Sequence, residues 1–195
     1  MYRAVLDTCA LVPGRQRDFL LQLAAVEAYA PLWGSGILFE LDYVLSRLDA
    51  RRRREGSDER RAGLLAEMRR AFPGAEINAP KDREYDYGLI DPDDGHVAHA
   101  AILGKADAIV TDDTRAGFET AAVLVDAGIE IVHPQDFAAN TVAAHPDAGV
   151  RALVAMSRRM ATPPQTPEQI LFELQDRYGM AEVAALLCPR LPGAP

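Results

Sequence analysis

The feature that most constrains the fold is the alternation of short apolar runs with longer stretches of helical periodicity. In residues 35–53, for example, apolar side chains recur every three or four positions, which is typical of an amphipathic helix. Short runs with the character of buried strands occupy residues 2–6, 75–78, 108–111 and 129–132. Strands that are separated by helices pair in parallel, so the pattern predicts an α/β fold with a mostly parallel sheet and helices on both faces.

The remaining helix signals divide the chain into two parts. We predict further helices over residues 16–28, 57–72, 93–103, 115–127, 147–160 and 181–187. Thr166, followed by Pro167 and Gln169, has the pattern of a capping box at a helix start. Because helix signals alone fill the last quarter, we predict a domain over residues 1–140 and a helical extension over residues 141–195.

Charge excludes one class of function and leaves another open. A formal net charge of −8 argues against a protein that wraps nucleic acid by bulk electrostatic attraction. Residues 51–70, however, contain eight arginines and only four acids. This basic segment is suited to a polyanion if metal neutralises the acids elsewhere, and it is equally suited to a solvated helix surface.

No apolar run approaches the roughly 18–20 residues that a membrane span needs. Asp7 interrupts the apolar N-terminal run too early for a secretory signal. The two cysteines, Cys9 and Cys188, match neither a disulfide framework nor a metal-ligand spacing. We therefore expect a reduced, cytoplasmic protein with no membrane partner.

Acidic residues stand where sites form in open α/β sheets, beyond the carboxyl ends of the strands. Clustered carboxylates repel one another, and a divalent cation offsets that repulsion. Oxygen ligands without a thiolate or a histidine pair favour Mg²⁺ or Mn²⁺, and such ions support phosphodiester hydrolysis by activating water. The candidate acids are Asp7, Glu40, Asp91, Asp93, Asp94, Asp112 and Asp113.

Each acid also has a purely structural interpretation. Asp7 would simply cap the following turn, and Glu40 would be a solvated helix residue. Asp93 and Asp94 would be first-turn acids that the helix dipole stabilises. Asp112 or Asp113 would form an Asx turn. The order of the acids and their placement at strand ends together favour a catalytic site over these alternatives.

These segments together resemble the PIN domain. The resemblance rests on residues 6–11, 37–41, 91–101 and 109–113, and it extends over nearly the whole chain, including the helical tail. Residues 91–97 are similar to the Asp-Pro-Asp-Asp-Arg-His-Val motif of VapC-type toxin ribonucleases, with Gly95 in the place of arginine. The resemblance implies a PIN-like three-layer α/β/α fold with a helical C-terminal appendage.

The resemblance also implies which side chains act. The catalytic and metal-binding acids would be Asp7, Glu40, Asp94 and Asp113, with Asp112 and Asp91 as secondary metal candidates. Asp112 enters because Phe118 follows one residue later than the family spacing. The candidate substrate-binding residues are Thr8, Thr111, Arg115 and His96. Trp33 is a candidate for stacking on a base or, alternatively, for packing in the core.

We therefore expect a Mg²⁺- or Mn²⁺-dependent endoribonuclease that acts as the toxin of a type II toxin–antitoxin system. The expected partners are an RNA substrate, a cognate antitoxin protein and a second copy of the chain. One alternative is a catalytically silent PIN module that binds RNA or a protein partner through the arginine-rich helix. A haloacid-dehalogenase-like phosphatase is a further alternative, but it needs an acid where Cys9 stands.

Overall fold

A computed structural model, which describes residues 1–53 and 55–191, contains a five-stranded sheet in which all pairings are parallel. The strands are β1 (Arg3–Leu6), β2 (Ala30–Gly34), β3 (Glu76–Ile77), β4 (Ala108–Val110) and β5 (Glu130–Val132). Their order in the sheet is β3-β2-β1-β4-β5, with β1 in the centre. This confirms the α/β class and the three-layer α/β/α arrangement, with a sheet that is entirely parallel.

Helices account for most of the remaining chain. In chain order they are α1 (Thr8–Leu11), α2 (Gly14–Ala25), α3 (Ser35–Arg51), α4 (Ser57–Ala71), α5 (Gly95–Gly104), α6 (Ala122–Asp126), α7 (Pro134–Ala144), α8 (Pro146–Arg159), α9 (Pro167–Tyr178) and α10 (Ala181–Leu187). In the part of the chain that the structure describes, no helix is long and apolar enough to cross a membrane.

The chain forms two compact units, and neither is continuous in sequence. The first unit comprises Met1–Val12 and Ala30–Val132 and contains the sheet. The second comprises Pro13–Tyr29 and the chain from His133 onward, and it is helical. The division at residue 140 stays a prediction about domains.

Apolar strands form the centre of the first unit. Ala4, Val5 and Leu6 of β1 are fully buried, as are all three residues of β4. Because β1 and β4 have neighbours on both edges and helices over both faces, their side chains need no polar alternation. The sheet thus holds the carboxyl ends of β1 and β4 side by side, with Leu6 opposite Val110.

In the first unit, β2 and the segment over residues 115–127 differ from the sequence prediction. The sequence signals missed β2, since Pro31 lacks an N–H group and argues against a strand. The helix predicted over residues 115–127 is wrong in its length, because only α6 is α-helical there and a 3₁₀ turn, Phe118–Thr120, precedes it. Gly117, with φ at +80°, interrupts the helical conformation before that turn.

Buried contacts between helices hold the second unit together. Tyr29 donates a hydrogen bond to the Leu20 carbonyl and packs edge-on against Phe137. The capping box predicted at the start of α9 is present, with Thr166 and Gln169 exchanging hydrogen bonds. The helices predicted over residues 147–160 and 181–187 correspond to α8 and α10. The prediction missed α7, which begins two residues after the end of β5 in the chain.

Candidate acidic active site

Asp7 lies at the carboxyl edge of the sheet, between the ends of the two central strands. Its backbone N–H donates to the Val110 carbonyl at 3.1 Å, so β1 and β4 end together. Its carboxylate accepts hydrogen bonds from the Thr8 N–H at 2.6 Å and from the Thr111 hydroxyl at 2.7 Å. Asp7 therefore caps α1, as its structural interpretation requires, and also lies where a catalytic acid is expected.

Burial sets the protonation behaviour of Asp7, whose exposed fraction is only 7%. Burial raises the pKa of this carboxyl because the charged form loses hydration, and the negative charge of Glu40 raises it further. The hydrogen bonds from Thr111, Thr8 and Cys9 act in the opposite direction. The balance is an acid that resists ionisation unless positive charge comes near.

Cys9 is part of this arrangement, although no sequence pattern indicates a function for it. Its thiol donates to Asp7 Oδ2 at 3.3 Å and lies 3.2 Å from the Thr111 hydroxyl oxygen. Burial, with the nearby charge of Asp7, raises the pKa of the Cys9 thiol to about 12. The thiol therefore stays protonated and serves as a hydrogen-bond donor that fixes the Asp7 carboxylate.

Glu40 lies on α3 and is held by three neighbours. Thr8 donates from its hydroxyl to Glu40 Oε2 at 3.0 Å, and Lys81 forms an ion pair with Oε1. His96 places Nε2 3.3 Å from Oε2, and its Nδ1–H donates to the Asp93 carbonyl. Glu40 is thus neither the solvated helix residue of its structural interpretation nor an open ligand.

The pKa of Glu40 reflects these contacts. Burial raises it, but His96 and Lys81 together outweigh burial and lower the pKa to about 2. Lys81 lies in an irregular loop that carries no motif, so no sequence pattern points to it. It is 41 positions from Glu40 in the chain and contacts it only in the folded protein.

Asp94 ends a 3₁₀ turn, Pro92–Asp94, that enters α5. The turn is capped by Asp91, whose carboxylate accepts from the Asp93 N–H at 3.0 Å. Burial, followed by the negative charges of Asp7, Asp91 and Asp113, raises the pKa of Asp94 to about 6, while Lys81 opposes the rise. Asp94 is therefore within electrostatic range of the acids that follow β1 and β4.

The segment after β4 has the predicted Asx turn. The Asp113 carboxylate accepts from the Arg115 N–H at 2.8 Å, and the Asp113 N–H donates to the Thr111 hydroxyl at 3.0 Å. Asp112 is exposed, and its N–H donates to the Cys9 sulfur at 3.1 Å. The Arg115 side chain is 90% exposed, so its guanidinium is accessible beside the acids.

The two histidines of α5, which are three residues apart, contact different groups. His96 is 1% exposed and faces Glu40, whereas the Nδ1 atom of His99 is 2.7 Å from the Tyr87 hydroxyl. The ring of His99 also lies 4.6 Å from that of Tyr85. The pair does not converge on one point, which argues against a shared histidine metal site.

The donor chemistry fits a hard divalent cation. In this side-chain arrangement, no three His, Cys, Asp or Glu groups of residues 1–53 and 55–191 are placed as a ready-made metal site. Nevertheless, the pKa of Asp94 is raised chiefly by burial and further by the negative charges of Asp7, Asp91 and Asp113. Oxygen donors that repel one another in this way are stabilised by a cation of two charges, and Mg²⁺ and Mn²⁺ prefer such ligands.

Gly95 stands where the resembling motif has arginine, and the structure gives a steric reason. A Cβ atom at this position would lie 2.7 Å from Tyr85 Cβ and 3.0 Å from the Tyr85 carbonyl oxygen. The loop before the 3₁₀ turn therefore occupies the space that any side chain at position 95 would need.

We expect Gly95→Ala to lower the free energy of unfolding by about 1–3 kcal/mol, because the new methyl group overpacks against Tyr85. Gly63→Ala, in the interior of α4, is the matched control, since nothing lies within 4 Å of a Cβ there. That change should stabilise the protein by about 0.5–1 kcal/mol. Urea denaturation measures both changes, and equal effects at the two positions would contradict the steric explanation.

Comparison with known proteins gives two matches to family models. The model described as PIN domain matches residues 3–115. The model described as VapC50 C-terminal domain matches residues 134–189. No curated protein and no solved structure matches the chain.

Proposed function

Since the chain belongs to the PIN domain family, in its VapC-type branch, we propose that it is a divalent-metal-dependent endoribonuclease and the toxin of a type II toxin–antitoxin system. VapC-type PIN proteins are typically nucleases. The observation that carries the proposal is geometric: Asp7 lies where β1 and β4 end together and accepts from Thr111, and the adjacent Thr8 donates to Glu40.

We infer that Asp7, Asp94 and Asp113 would hold the metal, with Glu40 joining them directly or through water. Mg²⁺ or Mn²⁺ bound there would supply Lewis acidity, which makes water a better nucleophile and stabilises negative charge on a phosphodiester. Asp91 and Asp112 are the secondary ligands, because Asp91 caps a turn and Asp112 is exposed.

The protein's own groups would prepare the site. Thr111 and Cys9 orient the Asp7 carboxylate, and Thr8 orients that of Glu40. Lys81 keeps Glu40 ionised and contributes positive charge near the scissile phosphate. The exposed guanidinium of Arg115 is suited to a charge-assisted, bidentate contact with a phosphate group.

Metal dependence of the full-length protein tests the proposal. We expect cleavage of an unstructured RNA in Mn²⁺ or Mg²⁺, no cleavage in EDTA, and recovery when excess Mn²⁺ follows EDTA. Without RNA, Mn²⁺ at about 100 times its dissociation constant should add about 2.7 kcal/mol to the free energy of unfolding. Cleavage that is undiminished in EDTA would contradict the proposal.

The pairing of Glu40 with Lys81 and His96 favours a second candidate, a catalytically silent module that binds RNA. An acid that is already paired with a lysine is a poorer metal ligand than a free one. Isothermal titration separates the two candidates, since a silent module would bind RNA without binding Mn²⁺. The nuclease proposal requires Mn²⁺ binding that weakens when Asp7 or Asp94 is replaced.

The proposed toxin role adds two partners, a cognate antitoxin and a second copy of the chain, and places the protein in the cytoplasm. Of the α3 apolar stripe, Leu41 is fully buried, whereas Val44, Leu45 and Leu48 are half-buried. Those three side chains are available to a protein partner. Sedimentation at micromolar concentration tests self-association, and a monomer alone would contradict the homodimer.

A further inference from the structure

Helix α3 exposes one face that the proposed chemistry does not use. Phe39 is 68% exposed and Tyr43 is 55% exposed, and Arg47 and Arg51 are also exposed. These four residues, which we call the α3 track, follow one another at intervals of four and so lie along one side of the helix. At about 1.5 Å per residue, the track is about 18 Å long.

A single exposed aromatic side chain is common at a protein surface, whereas contiguous exposed apolar groups mark binding surfaces. The two aromatic residues of the track are adjacent, one helical turn apart. The guanidinium carbon of Arg47 lies 5.7 Å from the centre of the Tyr43 ring, in a cation–π contact. The track therefore presents aromatic faces followed by positive charge.

The arginines of α3 and α4 are of two kinds. Three in α4 are engaged with acids, as Arg61 bonds to Asp42 and Asp58, Arg69 to Glu76, and Arg70 to Glu67, while Arg60 donates to the Glu55 carbonyl. In contrast, Arg47, Arg51 and Arg52 form no ion pair with any other described residue. Arg54 lies outside the described residues. Unneutralised positive charge is therefore present on the track and at its C-terminal end.

The track begins beside the candidate site. Phe39 lines a shallow pocket of about 270 Å³, whose other lining residues include Gly36, Pro80 and Lys81. Lys81 also forms the ion pair with Glu40. A chain that rests on the track would thus reach the acidic site at its Phe39 end.

We propose that the α3 track binds single-stranded RNA, with bases stacked on Phe39 and Tyr43 and phosphates contacted by Arg47 and Arg51. This inference rests on the proposed nuclease function and adds a substrate-binding surface outside the acidic site. Stacking on aromatic rings beside a basic path is how proteins bind single strands, and it needs base faces that a duplex hides. Guanidinium groups that follow aromatic rings along one helix face suit a polyanion better than an apolar protein surface.

Anisotropy of a fluorescein-labelled oligouridylate tests the track, in EDTA and with Asp7→Asn as the background so that RNA stays intact. Phe39→Ala and Tyr43→Ala should each weaken binding about 10-fold, as expected for the loss of one stacked base. Phe172→Ala is the matched control, because Phe172 is also 68% exposed but lies on α9. That variant should bind RNA with unchanged affinity.

Arg47→Ala provides a readout that general damage to the fold would not produce. Losing one phosphate contact should reduce the slope of log affinity against log salt by about 0.7, as expected for single strands. Arg158→Ala, which removes an exposed arginine at the end of α8, should leave the slope unchanged. An unaltered slope in Arg47→Ala would overturn the assigned phosphate contact.

The outcomes separate the track from the nuclease proposal. If Phe39→Ala and Tyr43→Ala bind RNA with the affinity of the background protein, the track does not bind RNA. The same conclusion follows if the two variants weaken binding of duplex RNA as much as binding of single strands. A protein partner would then be the remaining candidate ligand of this helix face. No RNA binding by the background protein would also overturn it. If the variants weaken binding but the wild-type protein never cleaves RNA, the track stands and the nuclease proposal fails.

Discussion

Asp7→Asn is expected to lower RNA cleavage by about 100- to 1,000-fold and, without metal, to raise the unfolding temperature. The first effect follows from removing negative charge at the centre of the site, where preorganised electrostatics dominate the rate. The second follows from burial, since the pKa of Asp7 is raised in the folded protein. An amide in the same place needs no counter-charge and still accepts the Thr8 hydrogen bond.

The sign of the pH dependence follows from that raised pKa. Ionising an acid whose pKa is higher in the folded state favours unfolding. The loss of folding stability is absent below the pKa of the unfolded state, which is near 4. It grows as the pH rises from that value to the folded-state pKa, and it is complete above the folded-state pKa. Asp94, with a pKa of about 6, acts in the same direction. In EDTA, the stability advantage of Asp7→Asn should therefore be large at pH 7 and vanish near pH 4.

Asp107→Asn is the matched control for Asp7→Asn. Asp107 also accepts a backbone hydrogen bond, from Arg3 N–H at 2.7 Å, but it lies at the amino edge of the same strands. Its replacement should leave cleavage unchanged. Thermal unfolding in EDTA and initial cleavage rates in Mn²⁺ measure both effects, and an Asp7→Asn protein that cleaves RNA like wild type would disprove the site assignment.

Trp33→Ala is expected to lower the free energy of unfolding by about 3–5 kcal/mol, the range for deleting a fully buried large aromatic side chain. Trp33 is 0% exposed in β2, and its ring lies edge-on to that of Phe72 with centres 5.9 Å apart. Of the two interpretations of this residue, packing in the core is therefore correct and stacking on a base is wrong.

Two further variants make that prediction specific, and urea denaturation measures all three. Trp33→Phe should cost less, because it keeps a ring against Phe72 and removes an indole N–H that has no hydrogen-bond partner among the described residues. Phe172→Ala, at an exposed position, should change stability by no more than about 0.5 kcal/mol. A loss below about 1 kcal/mol for Trp33→Ala would contradict the packing role.

Sequence patterns predicted the parts of the structure that depend on local periodicity. The apolar runs around β1 and β4 are fully buried strands, and the acids that follow them lie at one edge because parallel strands end together. Pro31 hid β2, since a proline within a run argues against a strand. Local sequence therefore predicted four of the five described strands and missed the interior strand that contains a proline.

The sequence predicted the acids of the candidate site together with Thr8, Thr111 and His96, but it did not predict every partner of those acids. The partners that decide their ionisation, Lys81 and Cys9, carry no pattern of their own and act through contacts that folding creates. Clustered acids alone would raise the pKa of Glu40, whereas its contacts, including the one with Lys81, lower it. The sequence thus indicates which acids lie close together, whereas their ionisation depends on neighbours that are distant in the chain.

The discontinuous second unit has a consequence for the order of synthesis. Helix α2 is translated early, but its packing partner α8 begins about 120 residues later. At typical elongation rates of about 5–20 residues per second, that interval lasts roughly 6–24 s. During this time Phe19, Leu20 and Leu23, all fully buried in the finished protein, lack the helix that covers them. Until the ribosome has made α8, the nascent chain therefore exposes apolar surface of the kind that favours aggregation.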